Sequence, residues 1–250
     1  MNYKFSSFFT FLVLVFGQMT SCTAQNSGSD KVSDSQYTEI VPLQTGAECI
    51  EEYIQTLSGK RVAMLVNQTS VVPDKEGNPV ALVDTLIDLD VDIRFLMAPE
   101  HGLKGLVSAG DEIADSRYQK KKNIEVYSLY GKNRKPQSEW LDQVDCVLFD
   151  IQDVGCRFYT YLSTLYYLLE ACGECDKEVI ILDRPNPNDT IDGPILDLKF
   201  QSFVGMVEVP LLHGCTLGEL ARMMVGEGWI KKPDGTAANP KITVITNKGW

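Results

Sequence analysis

The sequence predicts an α/β fold: a mainly parallel sheet, doubly wound, with helices on both faces. Three observations point to it. From Thr45 onward, short apolar runs alternate with helical stripes. The runs, such as 61–67, 92–98, 146–151 and 178–182, are nearly continuous in apolar residues, as strands covered on both faces are. Each run stops abruptly at a polar, Gly- or Pro-bearing turn. Strand–helix alternation of this kind gives parallel strands joined by helical crossovers.

In chain order, Ala47, Ile50, Ile54 and Leu57 form a helical stripe closed by Gly59. Residues 61–67 are the first strand. Asn78 as cap and Pro79 as first residue open a helix carrying Leu82, Leu86 and Leu89. The second strand, 92–98, runs into Pro99, Glu100, His101 and Gly102. Residues 102–123 read as a long loop, a kind of segment that is often functional. Strands follow at 125–129, 146–151, 178–182, 207–212 and 242–245. Leu162, Leu165, Tyr166 and Leu169 mark a helix after the fourth strand. Thr216 and Glu219 form a capping box for a helix with Leu217, Leu220, Ala221 and Met224 on one face. The chain shows no internal repeat, and the architecture is Rossmann-like in the broad sense.

Composition narrows the partners. Of 250 residues, 44% are hydrophobic, enough for a sizeable core, and the net charge is -11, which argues against nucleic acid. After the first strand the chain reads NQTSVVPDKEGNP rather than G-x-G-x-x-G, and no G-x-x-x-x-G-K-[ST] occurs. Nucleotide binding is therefore rejected, and no cofactor is expected.

The N-terminus reads as an address. Lys4 supplies a positive start, and residues 8–16 are an apolar stretch too short to span a bilayer comfortably. Cys22 behind Met19-Thr20-Ser21 resembles a lipoprotein signal, with Cys22 acylated. The expected organisation is a signal over 1–22, a flexible Ser-rich tether over 23–44 and the folded domain over 45–250. An exported protein, periplasmic or at the outer membrane and touching the membrane through a lipid anchor alone, follows. Cys172 and Cys175 close a helix rather than opening one, so a redox motif is not indicated, while a local disulfide is open in an oxidising compartment.

Polar residues gather just past the strand ends: Asn67 and Gln68; Glu100 and His101; Tyr130; Asp150, Gln152 and Asp153; Asp183, Arg184 and Asn186; His213. In a parallel sheet these positions share one edge, where ligands bind. A nucleophilic serine would need G-x-S-x-G, which is absent. A metal site could draw on His101, His213 and two aspartates, but no ligand spacing supports it. Glycoside hydrolysis needs an acid and a second group, base or nucleophile. Glu100, with apolar neighbours that would raise its pKa, suits the acid. His101 would orient Glu100 or a substrate hydroxyl, and the second group could be Asp150, Asp153, Asp183 or the substrate's own acetamido oxygen. The amides and aspartates suit sugar hydroxyls, and the rings of Tyr130, Phe158, Tyr159 and Tyr161 suit the apolar face of a pyranose. Arg157 and Arg184 could pair with an acidic substituent.

The stretches LVNQTS (65–70), APEHG (98–102), SLYG (128–131), FDIQDVGCRFYTY (149–161), LDRPNP (182–187), DGP (192–194), SFVGM (202–206) and HGCTLGELA (213–221) resemble the exo-β-N-acetylmuramidase family, NamZ-type glycosidases once catalogued as a domain of unknown function. The resemblance runs from about Gly59 to Trp250. It implies a Rossmann-like domain followed by a smaller C-terminal one, with the active site in a cleft between them. It also implies release of N-acetylmuramic acid from non-reducing ends of peptidoglycan fragments, with the catalytic glutamate at Glu100. The sequence stops where the smaller domain is expected to begin. A sugar-binding lipoprotein without turnover and a metal-dependent hydrolase are the competing readings.

Overall fold

The computed structural model describes residues 41–108, 110–111 and 114–250. The signal segment with Cys22, and the tether up to residue 40, lie outside them. Gln44 is already tied into the fold: its backbone exchanges two hydrogen bonds of 2.9 Å with Lys248.

The strands are β1 (Arg61–Val66), β2 (Val71–Pro73), β3 (Pro79–Ala81), β4 (Asp92–Ala98), β5 (Ser116–Tyr118), β6 (Ile124–Ser128), β7 (Cys146–Asp150), β8 (Glu178–Leu182), β9 (Ile191–Asp192), β10 (Leu212–His213) and β11 (Ile242–Ile245). The helices are α1 (Ile50–Leu57), α2 (Leu82–Asp88), α3 (Ser138–Leu141), α4 (Thr160–Glu174) and α5 (Leu217–Gly226). The main sheet has seven strands in the order β11-β8-β7-β1-β4-β6-β5. All neighbours are parallel except β5, which pairs antiparallel with β6 at the edge. Counting only the parallel strands in chain order, the arrangement is 3-2-1-4-5-6, that of a doubly wound sheet with its switch point between β1 and β7.

Alternation within the apolar runs divides them between two cores. Ala63, Leu65, Phe95, Met97, Val147, Phe149, Val179 and Ile181 face α3, α4 and α5. Val62, Met64, Val66, Ile93, Leu96, Cys146, Leu148 and Ile180 face α1 and α2. Both sets are buried, which is why the runs look unbroken in the sequence.

Three expected elements differ. Asn78 and Pro79 do not open a helix. Residues 74–78 turn a β2–β3 hairpin, in which the Asp74 carboxylate accepts from the amides of Glu76 (2.9 Å) and Asn78 (2.8 Å), and the helix starts only at Leu82. Residues 207–212 are not a sheet strand. Val207 and Val209 are buried there, but Pro210 has no N–H to give a ladder, and only Leu212–His213 pairs, antiparallel with β9. The long loop over 102–123 contains β5. The capping box at α5 forms as expected, with the Thr216 hydroxyl 3.1 Å from the Glu219 amide. The six described cysteines are free thiols, so Cys172 and Cys175 make no bridge. Burial pushes the Cys172 thiol up, as befits an inert core side chain.

Candidate active site

Glu100 follows β4 directly in a tight turn, whose Pro99 carbonyl accepts from the Gly102 amide at 2.9 Å. The carboxylate is buried, at 8% exposure, and it sits at the start of α4. The Thr160 hydroxyl, on the first residue of that helix, donates to Oε2 at 2.6 Å, and the Gly110 amide donates to Oε1 at 3.1 Å. Burial raises the Glu100 pKa, but the bonds from Thr160, Gly110 and the Tyr130 phenol outweigh it and hold the group below the usual carboxylate range. The positive end of α4 favours the same charge. The free protein thus carries Glu100 as an anion, opposite to the raised pKa expected from its apolar neighbours in the sequence.

Helix α4 is placed by the chain after β7. Gly155 has φ 78°, and a Cβ there would stand 2.2 Å from the Asn186 side-chain oxygen, so only glycine permits the turn that precedes the helix. Tyr159 then supplies an extended cap, and its ring meets Tyr161 edge-on at 4.9 Å. Burial pushes the Tyr161 phenol up to about 12, with Tyr159 adding to the rise and the Asn67 and Gln68 amides opposing it. Asn67 is buried, and its Oδ1 accepts from the Thr69 amide. Glu100, Thr160, Tyr130, Tyr159, Tyr161, Asn67 and Gln68 thus gather around the ends of β1, β4 and β6 and the start of α4.

Asp150 is not with them. It shares the carboxyl edge of the sheet, but it has the strand parity of Cys146 and Leu148 and points to the α1 side. There it is fully buried in a bidentate pair with Arg184, Nε to Oδ1 at 2.6 Å and the terminal nitrogen to Oδ2 at 3.0 Å. Burial pushes the Asp150 carboxyl up and Arg184 pulls against it. With both oxygens committed, Asp150 is no second catalytic group, and Arg184 has no free fork for a substrate.

The remaining strand-end residues tie loops together. The Asp183 carboxylate accepts from the Thr216 hydroxyl (2.6 Å) and the Gly218 amide (2.8 Å), fixing α5. Burial raises its pKa against those bonds. Gln152 donates to the carbonyls of Asp153 and Pro185, and Asn186 to that of Cys215. Arg157 donates through Nη1 to the carbonyls of Pro194 (2.7 Å) and Val209, which anchors the side chain, while its Nε and Nη2 have no partner among the described residues. Asp153 and His213 form a separate buried pair at 3.4 Å, in which the Cys215 amide donates to His213 Nδ1 at 3.3 Å. His101, at φ 71°, makes no hydrogen bond to Glu100; its Nδ1 lies 2.9 Å from the Val107 carbonyl. It lines an open groove of about 780 Å³ with Leu103, Leu106, Val107 and Tyr118, and Glu100 does not line that groove. His101 and His213 are not brought together, and among the described residues no three His, Cys, Asp or Glu side chains converge on a metal position.

Thr160 escaped the sequence reading, as did the Phe203 ring, which stands 6.0 Å from Tyr130. The tell for Thr160 was its place inside FYTY, one residue past a ring that caps a helix after a strand end.

Fold and site together define a doubly wound α/β protein whose carboxyl-edge crevice holds an anionic glutamate among aromatic rings in place of a phosphate-binding loop. The chain belongs to the family described as exo-beta-N-acetylmuramidase NamZ, N-terminal, whose pattern matches residues 62–250. It is 38% identical over 248 residues to the peptidoglycan beta-N-acetylmuramidase NamZ of Bacillus subtilis strain 168, covering 97% of this chain and 56% of that protein. Crystal structures of two DUF1343 family proteins from Bacteroides fragilis are similar. One is 38% identical with a TM-score of 0.70, covering 83% of this chain and 50% of that one. The other is 37% identical with a TM-score of 0.69, covering 84% and 53%. The chain spans about half the length of these relatives.

Proposed function

We propose that this chain forms the glutamate-bearing half of an exo-acting glycoside hydrolase that releases N-acetylmuramic acid from the non-reducing ends of peptidoglycan fragments. The observation that supports it is the Glu100 carboxylate, seated on the first turn of α4 beside Tyr130 in a chain 38% identical to a peptidoglycan β-N-acetylmuramidase. Glu100 acts as general acid once a proton reaches it. Of the groups that hold it ionised, the Gly110 amide and the Tyr130 phenol belong to loops, so a sugar entering the crevice can displace them. Losing those donors and losing water both raise a carboxyl pKa. The protonated Glu100 then gives its proton to the glycosidic oxygen as the bond to the anomeric carbon breaks, and a water molecule ends up supplying the hydroxyl on that carbon while its other proton passes to solvent and restores the balance. The tyrosine rings cover the apolar face of the pyranose.

Glu100→Gln tests this. With a sugar leaving group, turnover should drop by roughly 10²–10⁴-fold while N-acetylmuramic acid still binds. With a nitrophenolate leaving group, which needs little protonation, most of that loss should disappear. A loss equally large on both substrates would make Glu100 an anion that holds the 2-acetamido group, and weakened binding with unchanged turnover would make it a hydroxyl ligand. Export as a lipoprotein through Cys22 belongs to the same proposal: Cys22→Ala should release the protein from membranes or block its processing. Unchanged membrane association would refute the anchor.

A further inference from the structure

In a protein with net charge -11, many cations face a carboxylate: Lys60 meets Glu178, Arg61 meets Asp145, Lys135 meets Glu170 and Glu174. Arg134 meets none among the described residues. It is exposed, yet its guanidinium is not left to roam: it lies 4.6 Å over the centre of the Phe203 ring. Phe203 is itself held, at 9% exposure, stacked on Tyr167 with ring centres 6.1 Å apart and planes 20° apart. Its ring also meets that of Tyr130, tilted by 48° with centres 6.0 Å apart. Tyr130 in turn acts on Glu100. Burial and the Glu100 charge push the Tyr130 phenol up, while the positive charge of Arg134 pulls it down, so the guanidinium is close enough to be felt at the crevice.

The arrangement is a planar cation, fixed by a buried ring and linked to the anionic glutamate through Phe203 and Tyr130. A guanidinium positioned this way offers parallel N–H donors for a carboxylate and loses little freedom on engaging one. Of the arginines that the sequence suggested for this task, Arg184 spends its fork on Asp150, and Arg157 is tied through Nη1 to two backbone carbonyls. We propose that Arg134 is the specificity-determining residue of this site and binds the carboxylate of the 3-O-lactyl group of a muramyl sugar. The proposal rests on the glycosidase reading for its substrate class. Muramyl and glucosaminyl sugars differ only in that lactyl ether, so the carboxylate is the one charged handle that separates them. The handle hangs from C3, two ring atoms from the anomeric carbon that Glu100 serves, so one pyranose engages both.

The experiment compares the unaltered protein with Arg134→Met and Arg134→Lys. N-acetylmuramic acid, its methyl ester and N-acetylglucosamine are titrated by NMR, and a chromogenic β-N-acetylmuramide is turned over in parallel. The unaltered protein should prefer N-acetylmuramic acid over both the ester and N-acetylglucosamine. Arg134→Met should lose roughly 10–100-fold of that affinity, the range of a hydrogen bond to a charged group, with N-acetylglucosamine binding unchanged. Arg134→Lys should recover part of it. On the chromogenic substrate KM should rise with kcat little altered. Melting temperature should move little, since Arg134 is exposed and its one described contact is with the face of the Phe203 ring. An unaltered protein with no preference for the free carboxylate, or an Arg134→Met variant that keeps the preference, would overturn the proposal. A preference that is present and lost on Arg134→Met, without turnover of the chromogenic substrate by any form, would establish Arg134 as the carboxylate-binding residue and overturn turnover by this chain on its own.

Discussion

Replacing Thr160 by valine keeps the shape of the side chain and removes one hydrogen atom that matters. The Thr160 hydroxyl donates to Glu100 at 2.6 Å in a buried setting, and that is its only recorded donation. A hydrogen bond to a charged group is worth about 1.5–3 kcal/mol, and each pKa unit is 1.36 kcal/mol, so Thr160→Val should raise the Glu100 pKa by about 1–2 units. The assay is a ¹³C carboxyl NMR titration, with Glu100→Gln identifying the signal. Because the folded-state pKa of Glu100 is depressed, its contribution to stability is present above the unfolded carboxylate value and disappears as pH falls through the folded one. Thr160→Val should therefore be less stable than the parent near neutral pH, with the difference shrinking below about pH 4.3. If Glu100 is the acid, the falling limb of kcat/KM should move to higher pH by the same amount. A Glu100 signal that titrates identically in Thr160→Val would refute the claim that this bond holds the carboxylate ionised.

Two further changes test the scaffold. Arg184→Met leaves Asp150 buried without its partner and should cost about 3–5 kcal/mol in urea unfolding; a loss under 1 kcal/mol would mean that the pair is not desolvated. Gly46→Ala places a Cβ 2.2 Å from the Ile245 carbonyl oxygen and 2.6 Å from the Asp183 amide nitrogen. It should lower stability by at least about 1–3 kcal/mol, and an unshifted melting curve would show that the turn before α1 can move away from the sheet.

The strands were legible because burial on two faces leaves few polar residues in their interiors, Arg94 of β4 and Glu125 of β6 being exposed exceptions. Strand order was not, since the placing of β7 beside β1 depends on contacts across the whole chain. The site list was too inclusive for a related reason. Asp150 and Glu100 both follow apolar runs, but strand parity sends Asp150 to the α1 side, while the turn after Pro99 brings Glu100 to α4. Asp183, Gln152, Asn186 and Arg157 looked like ligand-binding groups because polar side chains near strand ends serve two purposes. Here they satisfy buried backbone groups of the surrounding loops, which would otherwise go unpaired. Arg134 was hidden for the opposite reason. Its sequence neighbours are those of an ordinary charged loop, and only the Phe203 ring, far along the chain, gives it a fixed place.

The mutual hydrogen bonds of Gln44 and Lys248 put two distant points of the chain side by side, and they do so beyond β11, on the edge of the sheet that carries the crevice. Three strand spacings, about 14 Å, separate β11 from β1. Whatever is joined to the domain at either point starts its path within about three or four sugar lengths of the crevice. A flexible segment attached there explores the crevice mouth at millimolar effective concentration without needing any affinity of its own. A fusion partner placed there would crowd substrate entry, whereas an exposed turn on the opposite edge of the sheet is the sterically neutral site for a label or graft.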